Sequence, residues 1–78
     1  MAQVRYFAAA EEAAGVAEES RDETTLGALR AALAADYPGL ARILPRCSVL
    51  VAGSRHEDPE TPLGAATLVD VLPPFAGG

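Results

Sequence analysis

The 78-residue chain contains no lysine, no tryptophan and no asparagine, and only one cysteine and one histidine. Each shortage excludes something. A single thiol, Cys47, can form no internal disulfide and cannot hold a metal or iron–sulfur cluster. A lone cysteine also suits a reducing compartment, so a cytoplasmic home is expected. No apolar run approaches the length of a membrane span. The N-terminus enters a strand-like pattern without the charged start and apolar stretch of a signal peptide. All six basic residues are arginine, against eleven acidic ones, for a formal net charge of -5. An acidic surface repels phosphate backbones and gains nothing at an anionic membrane, which sets aside nucleic acid and membrane as partners. It suits a protein partner with a basic docking surface, or solubility alone. The missing lysine fits a compositional bias, because asparagine is missing as well and alanine is abundant. It also has a chemical reading: an activated C-terminal acyl group would meet no lysine amine in its own chain.

What is present suffices for one small folded domain. Half of the residues are hydrophobic and 22% are charged, so disorder is not expected. A core this small leaves little room for a deep cleft with a catalytic lid. Ala2 to Phe7 alternate, with Val4 and Tyr6 on one face and Gln3, Arg5 and Phe7 on the other. Ala8 to Ala14 favours a short helix stopped by Gly15. Val16 to Arg21 reads as an edge strand. Thr25 can cap a second helix to about Asp36, whose Leu26, Leu29 and Leu33 form one apolar stripe. Gly27 costs helix propensity in its first turn. Tyr37-Pro38 ends this helix, and Leu40 to Leu44 can form one more turn before Pro45.

Cys47 to Ala52 is a continuous apolar run, read as a central strand. Ala52-Gly53-Ser54 turns the chain into a short strand around Arg55 to Glu57. Asp58 to Gly64 is a loop that sends Leu63 into the core. Thr67 to Leu72 is the last strand, with Val69 and Val71 on one face and Leu68, Asp70 and Leu72 on the other. Pro73-Pro74 stops the sheet. The expected fold is an α+β two-layer domain, with one main helix across a small mixed sheet. If the first and last strands lie side by side in the centre, it is a β-grasp. The domain then spans residues 1–74, and 75–78 form a projecting tail.

That tail, Phe75-Ala76-Gly77-Gly78, carries the chemistry. Two closing glycines arise by chance in roughly one chain in two hundred, and alone they fit a frayed terminus. Their setting adds meaning. Proline stiffens the exit and glycine removes bulk, so the tail forms a thin probe for a narrow site on another protein. Phe7 and Leu72 share an outward face if their strands are neighbours, with Phe75 just beyond. A grouped apolar patch on such a face suggests a protein interface, unless a helix covers it. A free carboxylate is a poor acyl donor and must be activated, for example as an acyl-adenylate. No phosphate-cradling glycine loop is present, so a partner must supply the activation.

Val4-Arg5-Tyr6-Phe7-Ala8, Thr61-Pro62-Leu63 and Val69 through Gly78 (VDVLPPFAGG) resemble the small subunit of molybdopterin synthase, over essentially the whole chain. That family is related to the sulfur carrier of the thiamine pathway. The resemblance implies a ubiquitin-like β-grasp fold and no permanently bound cofactor. It implies three protein partners: an activating enzyme that adenylates the terminal glycine with ATP, a sulfur donor, and the large synthase subunit. There the thiocarboxylate sulfur passes to cyclic pyranopterin monophosphate. Carried onto this chain, Gly78 bears the acyl group and the sulfur, and Gly77 gives clearance. Phe7, Leu72, Pro73, Pro74, Phe75 and Ala76 contact partners. Two stretches depart from the family pattern. Gly64-Ala65-Ala66-Thr67 lacks its acidic turn, and Ser54-Arg55-His56-Glu57 lacks an apolar contact residue. The same tail chemistry serves carriers for thiamine, cysteine or tRNA thiolation, and a binding module that never reacts is a further reading. A stand-alone enzyme lacks convergent catalytic groups.

Other polar residues read as structural. His56 has no base-orienting partner in view. Cys47 reads as a small hydrophobe. Glu11-Glu12 and Glu18-Glu19 read as solvated faces. Asp70 stands on the outward face of the last strand, where it can orient a partner.

Overall fold

The computed structural model describes residues 1–74. In chain order its elements are β1 (Ala2–Tyr6), α1 (Ala9–Ala14), β2 (Glu18–Arg21), α2 (Leu26–Asp36), α3 (Pro38–Ile43), a 3-10 turn (Leu44–Arg46), β3 (Ser48–Val51), β4 (Ser54–Arg55) and β5 (Leu68–Leu72). The five strands form one sheet in the order β2-β1-β5-β3-β4. β1 and β5 run parallel side by side, and the remaining pairs are antiparallel. First and last strands adjacent at the centre, with helices on one face, make the ubiquitin-like β-grasp.

Local chemistry sets the element ends. Gly15 takes a left-handed φ of 79° and returns its N–H to the Glu11 carbonyl, closing α1. The Thr25 hydroxyl accepts from the Ala28 N–H at 3.2 Å and caps α2. Pro38 does more than end α2, because it opens α3 from a first-turn position where a missing N–H costs nothing.

One core joins the two layers. Val4, Tyr6, Val49, Val51, Val69 and Val71 point inward from the sheet and meet Leu26, Leu29, Leu33 and Leu40 of the helices. Leu63 enters it from the loop. Each such side chain contributes about 1.5–3 kcal/mol by leaving water.

Five expectations need correction. Cys47 precedes β3 and lies buried beside the 3-10 turn. β3 is an interior strand of the sheet, as expected, between β5 and β4. Only alternate β3 residues, Val49 and Val51, are buried, because its other face is uncovered. The return strand is Ser54–Arg55 rather than Arg55 to Glu57. Glu19 is no solvated neighbour of Glu18. Its carboxylate accepts the Tyr37 hydroxyl at 2.8 Å and the Tyr6 hydroxyl, tying β2 to the core edge. Finally, Gly27 is a packing requirement as well as a cost. A Cβ there would stand 2.8 Å from Pro59 Cβ.

Candidate functional site

The parallel register of β1 and β5 places Arg5 opposite Asp70 and Tyr6 opposite Val71. The Phe7 N–H continues the ladder to the Val71 carbonyl at 3.2 Å. Extending the register by one residue sets Phe7 beside Leu72, both on the face away from the helices. Phe7 is 38% exposed, a large aromatic in water. Leu72 and Pro73 are half-buried and Pro74 is exposed. Among the described residues no helix covers this face, since the buried residues of all three helices join the core on the opposite side. The expected partner contacts Phe7, Leu72, Pro73 and Pro74 therefore lie together at the end of the sheet where β5 stops. Phe75, Ala76, Gly77 and Gly78, on which the expected chemistry falls, lie outside the described residues.

Beside the apolar residues runs a row that is charged except at Leu50. Registers across the sheet align Glu18, Arg5, Asp70, Leu50 and Arg55, one from each strand. At its centre Arg5 grips Asp70 in a two-pronged pair. Arg5 Nε donates to Oδ1 at 2.6 Å and Nη2 donates to Oδ2 at 2.9 Å. The Asp70 side chain is only 12% exposed, beneath an Arg5 side chain at 40%. The hydrogen bond to Asp70 raises the Arg5 pKa above its ordinary value, so the cation is fixed. The guanidinium carbon lies 5.7 Å from the Phe7 ring centroid, within reach of the ring's negative face. Asp70 thus does stand on the outward face, but it faces Arg5 before any partner. It positions a cation, and through it an aromatic ring, in a plane that a partner can meet.

The sequence reading missed this coupling. The signal was available: opposite charges at same-face positions of two strands expected to be neighbours. What it lacked was the register.

The residues set aside remain structural. Cys47 Sγ donates to the Ile43 carbonyl at 3.3 Å, and burial pushes its thiol pKa up, away from the reactive thiolate. His56 makes no side-chain hydrogen bond among the described residues. No group of three His, Cys, Asp or Glu could hold a metal among the described residues. No described helix is long and apolar enough to cross a membrane. The two departures from the family pattern form part of a hairpin and a turn in which Ala66 takes a left-handed φ of 64°. Ser54 and Arg55 make the short β4. Gly64 donates its N–H to Thr67 Oγ1 at 2.9 Å ahead of β5.

Comparison with known proteins agrees with this fold. The model of the ThiS family matches residues 4–78. No curated protein matches. Among solved structures, the HVO 2177 protein of Haloferax volcanii is 31% identical, covering 99% of this chain and 85% of that one, with a TM-score of 0.75. A chain of the complex of subunits 1 and 2 of molybdopterin-converting factor from Helicobacter pylori is 26% identical, covering 99% and 97%, with a TM-score of 0.76. The small archaeal modifier protein 1 of Methanosarcina acetivorans shares the fold at 24% identity and a TM-score of 0.85, covering 99% and 95%.

Proposed function

The chain belongs to the ThiS family, the ubiquitin-like sulfur carriers, and from that premise we propose that it carries sulfur on the carboxylate of its own Gly78. Partners act on it. An adenylating enzyme joins the Gly78 carboxylate to the α-phosphorus of ATP, and pyrophosphate leaves. A donor protein's persulfide then displaces AMP to give an acyl disulfide, and a thiol cleaves its S–S bond, ending as a disulfide with the donor, so one carboxylate oxygen is replaced by sulfur. The thiocarboxylate tail enters the large subunit of a molybdopterin synthase and passes its sulfur to cyclic pyranopterin monophosphate. Gly77 and Ala76 keep the probe thin, and Phe75 contacts partners.

One observation carries this reading: the uncovered face bearing Phe7 and Leu72 sits at the sheet end where β5 runs into Pro73-Pro74. A surface there can seat the body of the carrier while its last residues reach inward. The molybdopterin destination is supported by the full-length likeness to the Helicobacter pylori complex and by the VDVLPPFAGG ending.

The test is an intact mass after incubation with ATP, a cognate activating enzyme and a sulfur donor. The expected gain is one oxygen replaced by sulfur, absent when Gly78 is deleted. No gain with an activating enzyme proven on another carrier would sink the reading. Sulfur transfer from the charged chain to a thiamine precursor or to tRNA, with none to the pterin precursor, would move it to a sister pathway.

A further inference from the structure

Among the described residues two of the six arginines are ion-paired: Arg5 with Asp70, and Arg21 with Glu19, Glu23 and Asp36. Three of the others converge. Arg30 of α2, Arg46 of the 3-10 turn and Arg55 of β4 line one depression of about 170 Å3, together with Cys47, His56 and Glu57. None of these three guanidiniums forms an ion pair among the described residues. Arg30 Nη2 donates to the Leu44 carbonyl at 3.2 Å, which holds the side chain and leaves its other donors uncommitted to that carbonyl. The pattern runs against composition. Acidic residues outnumber arginines eleven to six, yet three arginines line one hollow with a single carboxylate, Glu57. Like charges brought together repel, and the repulsion is relieved when an anion enters.

We infer that this depression binds a phosphate-class oxyanion. Guanidinium is planar and presents donors in a fixed fork that matches phosphate oxygens in pairs. Three forks exceed what the two oxygens of one carboxylate can accept, whereas a phosphate brings three charged oxygens and up to two charges. A free phosphate, a pyrophosphate or the phosphate end of a nucleotide would each offer this chemistry. Ser48 pairs with Leu72, which puts Cys47 and the hollow at the sheet end where β5 terminates. The inference stands apart from the carrier reading, because it uses neither Gly78 nor the outward apolar face.

The experiment is a 1H–15N correlation titration of the full chain at fixed pH and ionic strength, with inorganic phosphate, pyrophosphate and ATP in parallel, and chloride as the balancing anion. Saturable shifts are expected at the amides of residues 46–49 and 55–57, with Arg5 and Arg42 silent. Pyrophosphate binding tighter than phosphate, with ATP no tighter than pyrophosphate, identifies the free anion as the ligand. ATP binding tightest identifies a nucleotide's phosphate end. Arg46→Gln and Arg55→Gln, both at exposed positions, should each weaken binding about tenfold, the equivalent of one charge-assisted hydrogen bond. Shifts spread over all the arginines, shifts indifferent to both substitutions, or no saturation would each overturn the proposal. So would a response to a glutamate-rich peptide with none to phosphate, which would make the hollow a seat for an acidic protein segment.

Discussion

The two faces of the sheet are built from the same five strands, yet they do opposite work. Inward, Val4, Val69 and Val71 are at most 1% exposed and packed under helices. Outward, one residue along each strand, stand Arg5, Asp70, Leu72 and the exposed Phe7. A side-chain period of two lets one strand serve both ends without compromise. The inner face holds the fold. The outer face keeps apolar surface in water, and the polar residue it buries, Asp70, is matched by Arg5. A surface arranged this way spends little stability and stays available to a partner.

The largest expected effect concerns neither face. Deleting Gly77 and Gly78 should abolish sulfur loading while leaving the melting temperature unchanged, because both residues follow the last strand. Intact mass and a thermal melt on one sample check the two halves. A fall in stability would mean the tail belongs to the fold, and the division of labour would break there.

Next comes the contrast between an inward residue of β5 and the outward residue that follows β1. Val69→Ala removes two buried methyl carbons and leaves a cavity, for a loss of about 2 kcal/mol. In a domain this size that lowers the melting temperature by on the order of 10 °C. Phe7→Ala should cost under about 1 kcal/mol, the scale of an exposed cation–π contact, and weaken binding to the activating enzyme by about tenfold or more, as for an interface anchor. Denaturant melts and a binding titration read both. If Phe7→Ala destabilised as much as Val69→Ala, the outer face would be structural after all.

Alternation made most of this legible. Val4, Tyr6, Val69 and Val71 fell inward and Phe7, Asp70 and Leu72 outward on period alone, and the turn and cap residues placed the helices. What periodicity could not supply was distance between segments far apart in sequence. The Arg5–Asp70 grip spans 65 residues and needs the parallel register. Glu19 looked solvated because its two tyrosine partners lie 13 and 18 residues away. Gly27 shows the same limit and gives the next prediction. Helix propensity alone says that Gly27→Ala stabilises α2 by about 1 kcal/mol. The Pro59 backbone oxygen and Cα at 3.1 and 3.3 Å from an added Cβ say otherwise. The expected result is a net loss of about 1 kcal/mol once overpacking of about 1–3 kcal/mol is set against propensity, read from a urea melt.

The smallest effect tests where the inner face meets water. Tyr6 packs its ring in the core and sends its hydroxyl to Glu19, which also receives Tyr37, while the two rings meet edge to face at 6.2 Å. Burial, then the Glu19 contact, raises the Tyr6 pKa well above its ordinary 10.0. The Glu19 hydrogen bond, then burial, raises Tyr37 as well. A phenol whose pKa is higher folded than unfolded stays neutral in the native state while the unfolded chain ionises. Its stabilising contribution is whole below pH 10 and shrinks as pH rises beyond it. Stability should therefore decline above about pH 10, and Tyr6→Phe should flatten that decline while lowering stability at neutral pH by about 1 kcal/mol for the lost hydrogen bond. Urea melts across pH 7 to 11 measure both slopes. The outer face has no tyrosine, so Phe7→Ala should leave the alkaline slope untouched. A change there would show that the two faces are coupled through β1 rather than divided by it.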